Sequence, residues 1–352
     1  MAGLYLHVPF QQSPRSSDES AFAAALTREI EQYAQHPLTD RAFRTLYVGG
    51  GRPSCLSESA LRTFVEAVRR KLGAGAIEEA TLELHPTDAS PLFLATLREL
   101  GVTRLSIGDP SLVDEALRPT LRQAREAGFE RLSADLVFGG AEQSHAAWKQ
   151  RLQRIVDLRV PHVTLHERTP NGNETSGEGE RPDRFAVAMT FLGAKGYEQY
   201  ELTHFARPGH RSRYQAHVYA HGNVLGLGPD AESFWWPTRP DPSTAQRWSN
   251  VTDMTAYVER LRNDESPVAQ RETLDRTALA REYVLLRLRT STGLDLDVLD
   301  DRYELSPRTR RASTLDRLAE EELIHDDPDR VRLTDRGRLL TDAITQRLIR
   351  EA

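Results

Sequence analysis

The stretch RTLYVGGGRPSCLSESALRTFVEAV, residues 44–68, decides how this chain is to be read. Residues 44–48 form a short run suited to a strand, and it ends on Gly49, Gly50 and Gly51. Backbone amides in such a triplet can approach a ligand without side-chain obstruction, although three glycines also mark a plain tight turn. Ser57 then opens a helix as its capping residue, and Leu61, Phe64, Val65 and Val68 recur at helical spacing. The stretch is one βα unit.

The same unit repeats outward from it. Candidate strands lie at 3–8, 44–48, 79–85, 103–108, 131–137 and 161–166, with a further one at 197–202. Helical patterns lie near 18–35, 57–72, 90–100, 112–127, 143–157 and 182–195. Such a row of βα units implies a parallel sheet, because parallel strands need helical crossovers. A closed or partly closed barrel and an open doubly wound sheet both fit the period. Residues 168–181 read as a polar, glycine-rich surface loop. Residues 206–250 read as an irregular connector rich in Gly, His, Tyr and Trp. From 251 to 352 the pattern turns helical, and residues 330–337 suggest a hairpin and last helix, as in a winged-helix module.

The composition bounds the function. The chain has 352 residues, enough for one large domain and a smaller one. With 46 basic and 52 acidic residues its net charge is −6, which argues against a surface built for nucleic acid. Cys55 is the single cysteine, so neither an internal disulfide nor a structural zinc site of several cysteines is available. No apolar run approaches the roughly 18 residues of a membrane span, and no basic leader precedes Leu4. A soluble cytoplasmic protein is the expectation.

In a parallel βα array the functional groups gather at the carboxyl ends of the strands. Those ends supply His7 and Gln11, then Gly49–Ser54, Glu83 with His85, Ser106 with Gly108 and Asp109, Asp135, and His166 with Glu167. Glu83 and Asp135 are suited to accept hydrogen bonds from an amine or a ribose. Taken singly, each also fits a structural carboxylate bonded to loop amides.

Taken together, these ends carry a resemblance. The chain has LYLHVPF at 4–10, LYVGGGRPS at 46–54, LELHP at 82–86 and RLSIG at 104–108. It also has AGF at 127–129, DLVFG at 135–139, GYEQYE at 196–201, FARPGH at 205–210, LGLGP at 225–229 and LTDRGR at 333–338. This ordered set resembles the HemW/HemN branch of the radical S-adenosylmethionine enzymes, a family of heme chaperones and oxygen-independent coproporphyrinogen III oxidase-like proteins. The resemblance implies an α/β fold: a partial (βα)6 barrel over 1–205, a connector over 206–250, and a small helical, winged-helix-like domain over 251–352.

It also implies a [4Fe-4S] cluster held by three cysteines spaced C-x3-C-x2-C after the first strand. The matching positions here are Gln11, Arg15 and Asp18. An amide, a guanidinium and a carboxylate do not replace soft anionic sulfur, so no cluster is expected. Of the family's S-adenosylmethionine site, Tyr5, Gly50, Gly51, Glu83 and Asp135 survive. Arg52 stands for a common threonine, Pro110 for a glutamine, His85 for an asparagine and Ala141 for a proline. Without a cluster the cofactor loses its anchor and its electron source, and radical chemistry is not expected.

The resemblance further implies a heme-binding segment reading Ser-Arg-His-Asn-x-x-Tyr-Trp, which here is Ser212-Arg213-Tyr214-Gln215-Ala216-His217-Val218-Tyr219. Tyr214 replaces the histidine, and tyrosine can ligate heme iron. His217 and His221 are four apart and would share a face on a helix. Tyr214, His217 and His221 are therefore the candidates for contact with heme or a related tetrapyrrole. The preferred expectation is non-catalytic heme or porphyrin handling. One alternative is a pseudoenzyme regulating a true HemW-type protein partner. The other is a cluster-independent enzyme whose barrel pocket is lined by Glu83, His85, Asp135 and His166.

Overall fold

A computed structural model describes residues 1–35, 42–73, 77–108, 116–139, 144–168, 180–237, 244–305, 312–327 and 329–350. Pro110, Ala141, most of the loop expected at 168–181 and the start of the helix expected at 112–127 fall outside the described residues.

Six parallel strands form the frame: β1 (Ala2–Val8), β2 (Phe43–Gly50), β3 (Glu79–Leu84), β4 (Arg104–Ile107), β5 (Arg131–Phe138) and β6 (His162–Glu167). Each lies beside the next in sequence order, as helical crossovers require. The crossovers are α1 (Ser16–Ala34), α2 (Glu58–Lys71), α3 (Pro91–Glu99), α4 (Leu117–Glu126) and α5 (His145–Asp157), and α6 (Glu180–Ala194) follows β6. Ser57 caps α2 as its position predicts, accepting from the Ala60 amide at 3.2 Å. A cap of this kind contributes about 1 kcal/mol.

Period-two alternation sorts the side chains of the strands. Leu4, Leu6 and Val8 of β1 are fully buried in one core with Phe22, Leu26 and Ile30 of α1. Tyr5 and His7, between them, face a cavity instead. Fully burying one such leucine is worth roughly 1.5–3 kcal/mol, so this helix-facing layer holds the barrel wall.

The segment 206–250 differs from its expectation. It is not irregular. β7 (Glu198–Glu201) and β8 (His204–Ala206) fold back beside β6, with β8 antiparallel to it. A short helix, α7 (Arg213–Tyr219), follows, and β9 (Asn223–Leu227) then pairs parallel to β1 on the side opposite β2. β10 (Glu232–Trp235), β11 (Ala245–Asn250) and β12 (Val268–Leu274) extend the sheet antiparallel from there, giving twelve strands in all. The glycines that made this stretch look loop-like are packing requirements. A Cβ on Gly226 would lie 2.2 Å from the Glu232 carbonyl oxygen, and one on Gly228, at φ +98°, 2.4 Å from that of His7.

The expected boundary at 251 also moves. α8 (Met254–Arg262) packs into the barrel core through Tyr257 and Leu261. Buried Glu29 of α1 ties these elements together. It accepts from the Gly228 amide at 2.8 Å, the Asn250 side-chain amide at 2.7 Å and the Tyr257 hydroxyl at 2.6 Å. The second core gathers instead around α9 (Arg276–Leu288), α10 (Leu296–Tyr303), α11 (Ala312–Glu320) and the later α13 (Thr341–Arg350). It includes a three-stranded antiparallel sheet of β13 (Leu294–Asp295), β14 (Ile324–Asp327) and β15 (Arg330–Leu333), with one turn of helix, α12 (Asp335–Arg338), after it. That is the winged-helix-like arrangement. Trp235 packs in the first core and Trp236 in the second, so the tryptophan pair straddles the junction. No helix among the described residues is long and apolar enough to cross a membrane.

Candidate functional site

Two cavities open into the barrel. The first, of about 460 Å³, lies at the carboxyl ends of the parallel strands and is lined by Gln11, Gly50, Gly51, Arg52, Glu83, His85, Ser106, Asp135 and His166, among others. It therefore brings together four of the five expected S-adenosylmethionine-site residues and all four of the expected pocket residues. Tyr5 is the exception. It sits one layer deeper in β1, opposite Tyr47, and lines the second cavity.

The glycine triplet is shaped by its neighbours. Gly50 has φ +110°, and a Cβ on Gly51 would lie 2.3 Å from the Phe10 carbonyl oxygen. The Gly51 and Arg52 amides donate to the Val8 and Phe10 carbonyls at 2.8 and 2.6 Å, fastening this turn to the chain leaving β1. Arg52, which stands for a common threonine, lines this cavity and is paired there with a carboxylate. Its Nε and Nη2 fork onto Asp88 at 2.8 and 2.5 Å. Ser54 donates to the same carboxylate at 2.6 Å.

Inside, the Tyr47 hydroxyl donates to Glu83 at 2.8 Å, and Ser106 donates to Asp135 at 3.1 Å. Burial pushes the Glu83 carboxyl up to about 7, against the hydrogen bond from Tyr47 and with the Asp135 charge adding to the rise. Glu83 is thus poised to hold or release a proton near neutrality. Tyr47 was not among the residues singled out from the sequence. Its signal was there: Tyr5 and Tyr47 occupy the same inward register on adjacent strands.

The cluster positions do not supply a metal centre. Gln11, Arg15 and Asp18 are all exposed, with Arg15 at the N-cap of α1 and Asp18 in its first turn. Cys55 does approach this segment, its Sγ lying 3.5 Å from the Gln12 carbonyl. Burial, then Asp88, raises its thiol to about 11, so it stays protonated. One protonated thiol does not meet a four-iron cluster's need for thiolates, and these residues do not fit that group.

The second cavity, of about 650 Å³, opens on the side of the barrel. β1, α7, β9 and β10 wall it, and Glu282, Leu285 and Leu286 of α9 cover it. Tyr214 and His221 line it together with Tyr5 and His7. Tyr214 is 8% exposed, its ring 4.9 Å from that of Tyr47 and 6.5 Å from that of Tyr5. Burial, then the neighbouring Tyr5 and Glu83, drives its phenol far above the ordinary range. The hydroxyl makes no hydrogen bond among the described residues.

His217 and His221 do not share a helix face, because α7 ends at Tyr219 and His221 adopts a left-handed conformation at φ +58°. His217 is not among the residues lining the cavity. It donates from Nε2 to the Asn223 carbonyl at 2.8 Å, and its imidazole fills the space a Gly222 side chain would need. His221 has both ring nitrogens engaged, Nδ1 with the Tyr303 hydroxyl at 3.1 Å and Nε2 with Glu282 at 3.2 Å. It stacks on Phe234 at 4.5 Å. His221 therefore clasps the barrel to the second core.

Comparison with known proteins agrees with this geometry. The family model for the HemN C-terminal domain matches residues 274–340, the region of the second core. Heme chaperone HemW of Mycobacterium tuberculosis strain H37Rv is 30% identical over 387 aligned positions, covering 99% of this chain and 94% of its own. Heme chaperone HemW of Bacillus subtilis is 24% identical, covering 98% of both chains. Among solved structures, coproporphyrinogen III oxidase HemN of Escherichia coli, a radical SAM enzyme, superposes with a TM-score of 0.81 at 21% identity. It covers 99% of this chain and 89% of that one, and so speaks for the fold. The chain belongs to the HemW/HemN-like radical S-adenosylmethionine family.

Proposed function

We propose that this protein is a cluster-free member of its family that binds or passes on heme, or a related tetrapyrrole, without radical chemistry. The observation that carries the reading is the donor set at positions 11, 15 and 18, an amide, a guanidinium and a carboxylate, with Cys55 as the chain's single thiol. No ligand set for iron–sulfide remains, so reductive cleavage of S-adenosylmethionine has no electron source in this chain. Heme handling does not need that source. The lateral cavity offers a wall of aromatic rings, Tyr5, Tyr214 and Phe234, for a flat apolar ligand. The free Tyr214 hydroxyl is the group we assign to the iron, with His221 and His217 holding the surrounding chain.

A hemin titration followed optically tests this, with Tyr214→Phe and His217→Ala in parallel. A saturable Soret shift at one equivalent, lost in Tyr214→Phe, is the expected result. Loss in His217→Ala alone would move the ligand to that residue. A featureless titration would overturn heme handling and favour action through a protein partner. Anaerobic iron–sulfide reconstitution is expected to leave no cluster absorbance, and a stoichiometric four-iron cluster would sink the cluster-free reading.

One observation favours a second reading. The mouth cavity retains Glu83, held near neutrality, beside Asp135, His85 and His166. That set suits a cluster-independent proton transfer. It predicts small-ligand binding at the mouth that Glu83→Gln abolishes.

A further inference from the structure

We infer that the base of the barrel, opposite the mouth, carries a binding cleft for an oxyanion, a phosphate or a carboxylate borne by a small ligand. The cleft has a volume of about 630 Å³. It lies where three turns meet: the one after α4, the one after α5, and the one after β8. Arg125, Arg159, Arg207 and His210 line it, and Glu130 is the single acidic residue among its lining groups. Three guanidiniums against one carboxylate is an unusual local balance in a chain whose acids outnumber its bases.

Internal demands account for part of this charge. Arg125 donates to the Leu158 and Arg159 carbonyls at 2.7 and 3.1 Å, satisfying the end of α5. Those demands do not neutralise the other arginines. Arg159 sits at φ +53°, a conformation uncommon for a long side chain, and its exposed guanidinium has no acidic partner among the described residues. Arg207 sits over the Tyr197 ring, 4.7 Å from its centroid, and hydrogen-bonds to that tyrosine, which fixes its fork without neutralising it. His210 Nδ1 is buried and makes no hydrogen bond among the described residues.

A buried polar atom without a partner calls for an explanation, and so does an uncompensated pair of arginines. An oxyanion supplies both. Guanidinium forks match the geometry of carboxylate and phosphate oxygens, and the half-buried His210 imidazole beside them adds a further donor. The groups facing His210 agree with this. Burial, Arg131 and Arg207 hold its pKa below the ordinary value while Glu130 works the other way. An anion bound beside it would work against that lowering. The site is separate from both barrel cavities and does not depend on the heme reading.

The test is calorimetric titration of the full chain at low salt with inorganic phosphate and, separately, with citrate. Saturable binding of either probe is expected, about ten-fold weaker in Arg159→Gln and in Arg207→Gln. It should also fade as added salt shortens the screening length. Binding of phosphate alone would assign a phosphoryl ligand, and binding of citrate alone a carboxylate. Arg159→Gln is the safer variant for folding, since that side chain holds nothing else in place. The His210 ring protons, followed by NMR, should report a raised pKa when the probe is bound. Absence of binding, binding unchanged in both variants, or an unmoved His210 titration would overturn the inference.

Discussion

Tyr214 packs its ring 4.9 Å from that of Tyr47, and Tyr47 donates its hydroxyl to Glu83 at 2.8 Å. Through this contact a ring that lines the lateral cavity touches the tyrosine bonded to Glu83 of the mouth cavity. Tyr214→Ala is expected to cost about 3–5 kcal/mol in unfolding free energy, as deletion of a buried aromatic does. Tyr214→Phe keeps the ring and gives up a hydroxyl with no hydrogen-bond partner among the described residues, so it should stay within about 1 kcal/mol of the parent. Denaturant titration of both variants separates the packing role from any role in ligation.

The cluster prediction can be run in reverse. Gln11→Cys, Arg15→Cys and Asp18→Cys together restore three thiols on a segment still fastened to the glycine turn. The triple variant is expected to gain brown absorbance on anaerobic reconstitution, which the parent lacks. A parent and triple variant that behave alike would mean that more than the ligands has changed.

Glu83 makes stability depend on pH. Its folded carboxyl is raised from 4.5 to about 7, so between those values the unfolded chain gives up a proton that the folded chain retains. Stability is then fully present at low pH and falls as pH rises through 7. At ~1.4 kcal/mol per unit the loss is about 3 kcal/mol. Unfolding free energies measured from pH 5 to 8 should slope downward in the parent and distinctly less in Glu83→Gln, where Glu29 still contributes. An unchanged slope in the variant would place the effect elsewhere. Glu29, which burial also raises to about 7, is the first alternative to examine.

Glu29 joins α1 to β9, β11 and α8 through a single carboxyl group. Truncation strands the Gly228 amide, one N–H of the Asn250 side chain and the Tyr257 hydroxyl in a buried setting. Glu29→Ala should therefore cost about 3–5 kcal/mol, and Glu29→Gln, which keeps the volume and one acceptor oxygen, distinctly less. Thermal unfolding of the two variants checks the order.

The parallel half of this fold was legible because each strand is followed by a helix, and the two periods contrast in the sequence. All six parallel strands lie within a few residues of where that contrast puts them. β9 to β11 were missed for a physical reason. They are short, β10 and β11 lack helical crossovers, and β9 with the residue after it carries glycines demanded by close backbone contacts with β10 and β1. The mouth residues were legible as strand ends. The lateral cavity was not, because it is assembled from side chains in mid-strand and from α9, far away in sequence. The spacing of His217 and His221 misled, since four residues mean one face only if the helix continues, and it stops between them.

The placement of β1 has a consequence for synthesis. Its two neighbours are β2, which follows closely, and β9, whose Asn223 pairs with Ala2. At roughly 5–20 residues per second, a ribosome would leave that second edge of β1 bare for on the order of ten to forty seconds. An unpaired strand edge is a template for the wrong partner. The nascent chain thus passes through a long interval in which its first strand is half-finished, and slow growth or a chaperone resting on that edge would decide the yield of folded protein.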